Sequence, residues 1–121
     1  MLTFFVDKKI VLYTSESGRC PVADFLNTLT DKVVQKISWV LKLISQLDRI
    51  PTEYLKKLKT KDDIWECRIA MASNSYRIFC FFDNGSIIVL THGIVKKSQK
   101  TPRNEIKKAI ECKKDYLRRK Q

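Results

Sequence analysis

Residues 64–92 read IWECRIAMASNSYRIFCFFDNGSIIVLTH, and this stretch decides the fold. Within Ile64–Ile69, polar and apolar residues alternate: Trp65, Cys67 and Ile69 fall on one face and Glu66 and Arg68 on the other, the period-two pattern of a strand buried on one side. Tyr76–Phe82 is aromatic and β-prone. Asp83-Asn84-Gly85 follows and then SIIVLTH, so Asn84-Gly85 predicts a tight hairpin. Three consecutive antiparallel strands result.

Working outward, Pro21 suits a first helical position, and Val22, Phe25, Leu26 and Leu29 recur at helical spacing, which predicts a short helix over 21–29. A longer helix is expected from Asp31, read as its N-cap, because Val33, Val34, Ile37, Val40, Leu41, Ile44 and Leu47 form one apolar stripe before Pro51. Together they read as an antiparallel helix pair laid on the sheet. Residues 3–13, TFFVDKKIVLY, read as a strand or short hairpin. At the far end, Thr101 is placed to cap a helix with Pro102 at its first position, and Ile106, Ala109, Ile110 and Leu117 give it a partial apolar stripe. The expected class is α+β: two N-terminal helices packed on a twisted antiparallel sheet, with a C-terminal helix. Trp39 and Trp65 fit core positions.

The 121 residues contain three Gly and three Pro, with no linker-like stretch or repeat, so residues 1–121 are expected to form one domain. No apolar run approaches a membrane span, and MLTFFVDKK carries no basic leader, which predicts a chain without membrane attachment. Cys20, Cys67, Cys80 and Cys112 are widely spaced and include no C-x-x-C pair. With one His in the chain, neither a metal site nor another cofactor is expected, and a reducing cytoplasm is the expected compartment. The net charge of +11 is the strongest compositional signal, because such a surface attracts polyanions and gains affinity by releasing their counterions. Residues 96–121 hold eleven Lys and Arg against Glu105, Glu111 and Asp115, a surplus of eight.

Catalytic dyads of carboxylates, Gly-rich phosphate loops and Ser/Cys nucleophiles with a base find little support here. What remains is basic: Arg68, Arg77, His92, Lys96 and Lys97 lie in or just beyond strands that the hairpin makes neighbours. RNA carries its own nucleophile, the 2′-hydroxyl. Cleavage therefore needs alignment, charge stabilisation at phosphorus and proton transfer at two oxygens, and no metal is obligatory. Arg68 and Arg77 offer planar forks matched to phosphate oxygens. Lys96, Lys97, His92 and Glu66 are the candidates for moving protons. Arg77, in an otherwise aromatic strand, is the hardest to explain structurally, because a half-buried arginine needs an anion. A non-catalytic phage or plasmid regulator that binds nucleic acid through the same patch is the alternative reading.

The ordered strings IWECRI at 64–69, YRIF at 76–79 and HGIVKKSQKTP at 92–102, then Glu105-Ile106 and Ala109, resemble the phage-derived branch of the RelE/HigB toxin superfamily. Pro21–Leu26 and Leu55–Leu58 match that branch too. The resemblance implies two N-terminal helices on a twisted antiparallel sheet, and a ribosome-dependent messenger-RNA endonuclease whose active site is a basic cluster at Arg68, Arg77, Lys96 and Lys97. Lys59, Lys100, Arg103 and Lys107 are the expected RNA-binding residues, and the Lys-rich C-terminal helix is expected to anchor ribosomal RNA. It also implies a cognate antitoxin, usually a helix-turn-helix protein, through which alone operator DNA would be bound.

Overall fold

A computed structural model describes residues 7–97 and 100–120. Among these residues, five strands form one sheet: β1 (Lys9–Leu12), β2 (Leu55–Lys57), β3 (Trp65–Met71), β4 (Asn74–Asp83) and β5 (Ile87–Lys96), in the spatial order β1-β5-β4-β3-β2. With them go three described helices, α1 (Pro21–Leu26), α2 (Asp31–Gln46) and α3 (Arg103–Lys120). The predicted α+β class holds, and the β4–β5 hairpin turns at Asn84 and Gly85, both at positive φ.

The sheet departs from the fully antiparallel expectation at one edge. β1 runs parallel to β5, with Ile10 beside Ile88 and Leu12 beside Leu90, so the sheet is mixed. The intervening helices and strands supply the long crossover a parallel pair needs, whereas neighbours in sequence close as hairpins. Residues 3–6 of the predicted N-terminal strand lie outside the described residues. β2, only three residues long, pairs antiparallel with β3 and was not expected as a strand.

Local chemistry explains the helix ends. α1 stops at Leu26, and the chain over 27–29, predicted helical, makes tighter i to i−3 bonds from Thr28 to Phe25 and from Leu29 to Leu26. The N-cap of α2 is Thr30, one residue before the expected Asp31: its hydroxyl accepts from Val33 N at 3.4 Å. Val33, Ile37, Val40 and Ile44 are buried along one stripe of α2, against Cys67, Ile69, Ile78 and Cys80 of the sheet. Trp39 is the exception to the predicted core: it is half exposed, edge-on to Tyr54 at 6.0 Å with the Lys36 ammonium over its ring. Among the described residues, no helix is long and apolar enough to cross a membrane.

The second face of the sheet carries α3, which packs Ala109, Ile110 and Tyr116 on Phe79, Phe81 and Val89. Polar clamps fix its C-terminal end. Tyr116 and Lys120 both donate to Asp83, Tyr13 donates to Asp115, Arg118 pairs with Glu16, and Arg119 donates to the Thr14 carbonyl. Lys113 donates to the carbonyl of Asp62. The helix that was expected to present its cations to ribosomal RNA thus commits several of them to holding itself against the sheet.

Candidate anion-binding site

Because α3 covers one end of its face of the sheet, the other end stays open, and the cross-strand register decides what lines it. Arg68 on β3 stands directly opposite Arg77 on β4, and Glu66 is in register with Phe79. Strict alternation through β5 would send Lys96, like Ile88 and Leu90, to the opposite face, which α1 and α2 cover. A β-bulge prevents this: Cys80 pairs with Leu90 but Phe79 with His92, leaving Thr91 as an extra residue. The bulge reverses the parity of the strand's second half, so Lys96, opposite Ser75, joins Arg68 and Arg77. Thr91 supports this break, its hydroxyl donating to Phe79 O at 3.2 Å.

Gly93, the next residue but one, faces α1. A Cβ there would sit 2.3 Å from Phe25 Cδ2, so only glycine lets α1 lie on β5 at this point.

Three strands thus deliver three cations to one buried carboxylate. Glu66 is 1% exposed; Arg77 Nε donates to its Oε1 at 2.9 Å, Lys96 Nζ lies 3.9 Å from the same oxygen, and Thr101 donates to Oε2 at 2.7 Å. Arg68 Nε is 3.4 Å from Oε1, yet it has no hydrogen-bond partner among the described residues. Arg77 also donates to Ser75 Oγ and to Tyr76 O. Three positive charges against one negative leave a surplus of two. That surplus, with the partly exposed Arg68 side chain lining the openings, favours an incoming anion. The proton affinities respond accordingly: burial lowers the pKa of Lys96, the Glu66 carboxylate opposes that shift, and Arg77, Arg68 and Lys56 add to it. Burial also lowers Arg77.

Arg68 and Lys96 form a ridge between two openings. One, of about 560 Å³, is lined by Glu53, Ala70, Ser75, Arg77 and Lys97 as well as the ridge. The other, of about 250 Å³, is flanked by Lys56, Lys57, Lys59, Lys100 and Thr101.

Of the residues singled out in sequence, Arg68, Arg77, Lys96, Lys97 and Glu66 converge, and Lys59 and Lys100 border the same ridge. His92 does not join them. Its ring stacks on Phe79 at 4.8 Å, and Nε2 meets Glu105 Oε2 at 3.2 Å beneath α3, in a separate groove bordered by Phe25 and Cys112. Arg103 and Lys107 are exposed on α3 and line neither opening. Thr101, expected as a helix cap, turns its hydroxyl to Glu66 instead; Pro102 O accepts the first helical bond, from Ile106 N at 3.3 Å. Glu53 was missed, because a loop carboxylate after Pro51 carries no periodic signal.

Fold and cleft together define a class, the α+β proteins that present a preformed anion site on one face of their sheet. The family model described as Phage derived protein Gp49-like (DUF891) matches residues 24–114, and the chain belongs to that family, which is related to the RelE/HigB-type toxins. The match includes every residue of the cation cluster. No curated protein matches the sequence.

Proposed function

We propose that the protein is the toxin of a toxin-antitoxin pair, a metal-independent endoribonuclease that cleaves messenger RNA in the ribosomal decoding site. The observation that carries this reading is the gathering of Arg68, Arg77 and Lys96 from three adjacent strands around buried Glu66. Arg68 and Arg77 hold the scissile phosphate and stabilise the charge that develops on its oxygens. Glu66 sits behind the cations and keeps them side by side. The 2′-oxygen attacks phosphorus, the P–O5′ bond breaks, and the products are a 2′,3′-cyclic phosphate and a 5′-hydroxyl. A base takes the 2′ proton and an acid supplies one to O5′, a role for Lys96 or Lys97. Lys59, Lys100, Arg103 and Lys107 extend the cationic surface for RNA. Neutralisation falls to a cognate antitoxin, a helix-turn-helix protein that contributes the contact to operator DNA, and the setting is the cytoplasm.

Growth arrest and message cleavage in a translating extract test the reading. Arg77→Ala should abolish both while the variant keeps its circular-dichroism spectrum; a folded Arg77→Ala protein that still arrests growth removes Arg77 from the site. One observation favours the alternative of binding without chemistry: of two candidate proton carriers, His92 lies outside both openings and Glu66 already has both of its oxygens engaged. A protein that retards RNA in a salt-dependent way yet leaves translated messages intact supports that alternative.

A further inference from the structure

We infer that Glu53 is the catalytic base, the group that takes the proton from the attacking 2′-hydroxyl; this rests on the nuclease reading above. Among the described residues, the larger opening is lined by two arginines, two lysines and a single carboxylate, Glu53, which is exposed. Glu66 cannot fill the role, since it is buried and both of its oxygens are occupied. His92 is held by Glu105 outside the opening.

The backbone around Glu53 is fixed to the phosphate-holding arginine itself. Pro51 O accepts from Tyr54 N at 2.9 Å and from Leu55 N at 3.2 Å, closing a turn over residues 51–55. Arg68 reaches that turn twice: its backbone N donates to Tyr54 O at 2.8 Å, and its guanidinium to Thr52 O at 3.5 Å. Residue 53 is thereby bracketed by two partners of Arg68, and its carboxylate borders the cleft in which Arg68 and Arg77 would grip a phosphate. In the step assigned here the 2′-hydroxyl proton passes to Glu53 and the 2′-oxygen bonds to phosphorus. The P–O5′ bond then breaks, and Lys96, on the ridge, gives a proton to O5′. Solvent returns both groups to their starting forms, so protons and electrons balance.

The test uses the full chain in a translating extract, with cleavage mapped on an ordinary message and on one carrying a bridging sulfur in place of O5′ at the cut. Sulfur leaves without a proton, so it relieves the loss of an acid but not the loss of a base. Glu53→Gln should slow cleavage by roughly 100-fold or more, the usual range for a missing general base. The sulfur ester should not restore it, whereas Lys96→Ala should be restored, and Glu111→Gln, on α3, should cut like the wild type. Cleavage by Glu53→Gln within a few-fold of wild type, or its rescue by sulfur to the same degree as Lys96→Ala, overturns the assignment alone. A wild-type protein that cuts nothing overturns the nuclease reading and the assignment together.

Discussion

Thr101 donates its hydroxyl to Glu66 Oε2 at 2.7 Å, a contact between residues 35 positions apart that ties the entrance of α3 to the carboxylate at the centre of the cation cluster. The same hydroxyl accepts from Lys96 Nζ at 3.3 Å. Hydrogen bonds to a charged group contribute about 1.5–3 kcal/mol. Thr101→Val should lower thermal stability by about that amount, and Thr101→Ser should restore most of it. Equal melting of wild type and Thr101→Val would show that the contact contributes nothing to holding the helix.

Removing the carboxylate should be worse. Glu66→Ala leaves three close cations without their counter-charge, and breaking a buried pair by deleting one partner costs about 3–5 kcal/mol. Added inorganic phosphate should therefore raise the melting temperature of Glu66→Ala by more than it raises that of the wild type, which serves as the control for the general stabilising effect of the salt. Identical increments in the two proteins would argue against an anion site at the cluster.

Gly93→Ala forces a methyl group to within 2.3 Å of a ring carbon of Phe25. Overpacking of this kind costs about 1–3 kcal/mol. Combining it with Phe25→Leu should give less destabilisation than the two single changes summed, because the smaller side chain yields the space. Additive behaviour in denaturant melts would place the effect of Gly93 elsewhere.

Burial lowers the pKa of His92 below the ordinary 6.5, the Glu105 carboxylate opposes that shift, and Lys108 adds to it. The unfolded chain therefore binds a proton that the folded chain resists. This contribution is fully present above pH 6.5 and is lost as the pH falls toward the folded-state pKa. Melting temperature should decline over that interval, before the lowered carboxyls Asp83 and Asp115 titrate. In His92→Gln the decline between pH 6.5 and the carboxylate range should flatten, whatever the absolute stability of the variant.

Much of this arrangement was legible in the residues themselves. The alternation of Trp65 to Ile69 correctly assigned Glu66 and Arg68 to a common face, and Asn84-Gly85 located the hairpin that makes Arg77 a neighbour of β5. What stayed hidden depends on tertiary pairing. Nothing local in Leu90-Thr91-His92 announces an unpaired residue, yet the side on which Lys96 emerges turns on it. The parallel partnership of β1 with β5 joins segments far apart in the chain, beyond the reach of any periodicity. His92 is a candidate proton carrier by its ring chemistry alone; that it meets Glu105 is not readable locally, because the partner is supplied by a helix thirteen residues later. The spacing of Asp115 to Arg118 and Arg119 is local to α3, but the partners these arginines find in the loop after β1, Glu16 and the Thr14 carbonyl, are set only by the docking of the helix.

The extra residue in β5 also has a genetic corollary. An in-frame loss of the Thr91 codon would shorten the strand and mend its ladder while leaving His92 opposite Phe79 and Lys96 opposite Ser75. The loss of the Gly93 codon, two triplets downstream, would instead push Ile94 against Phe25. Within one short stretch of the reading frame, the first single-residue deletion should be survivable and the second should not.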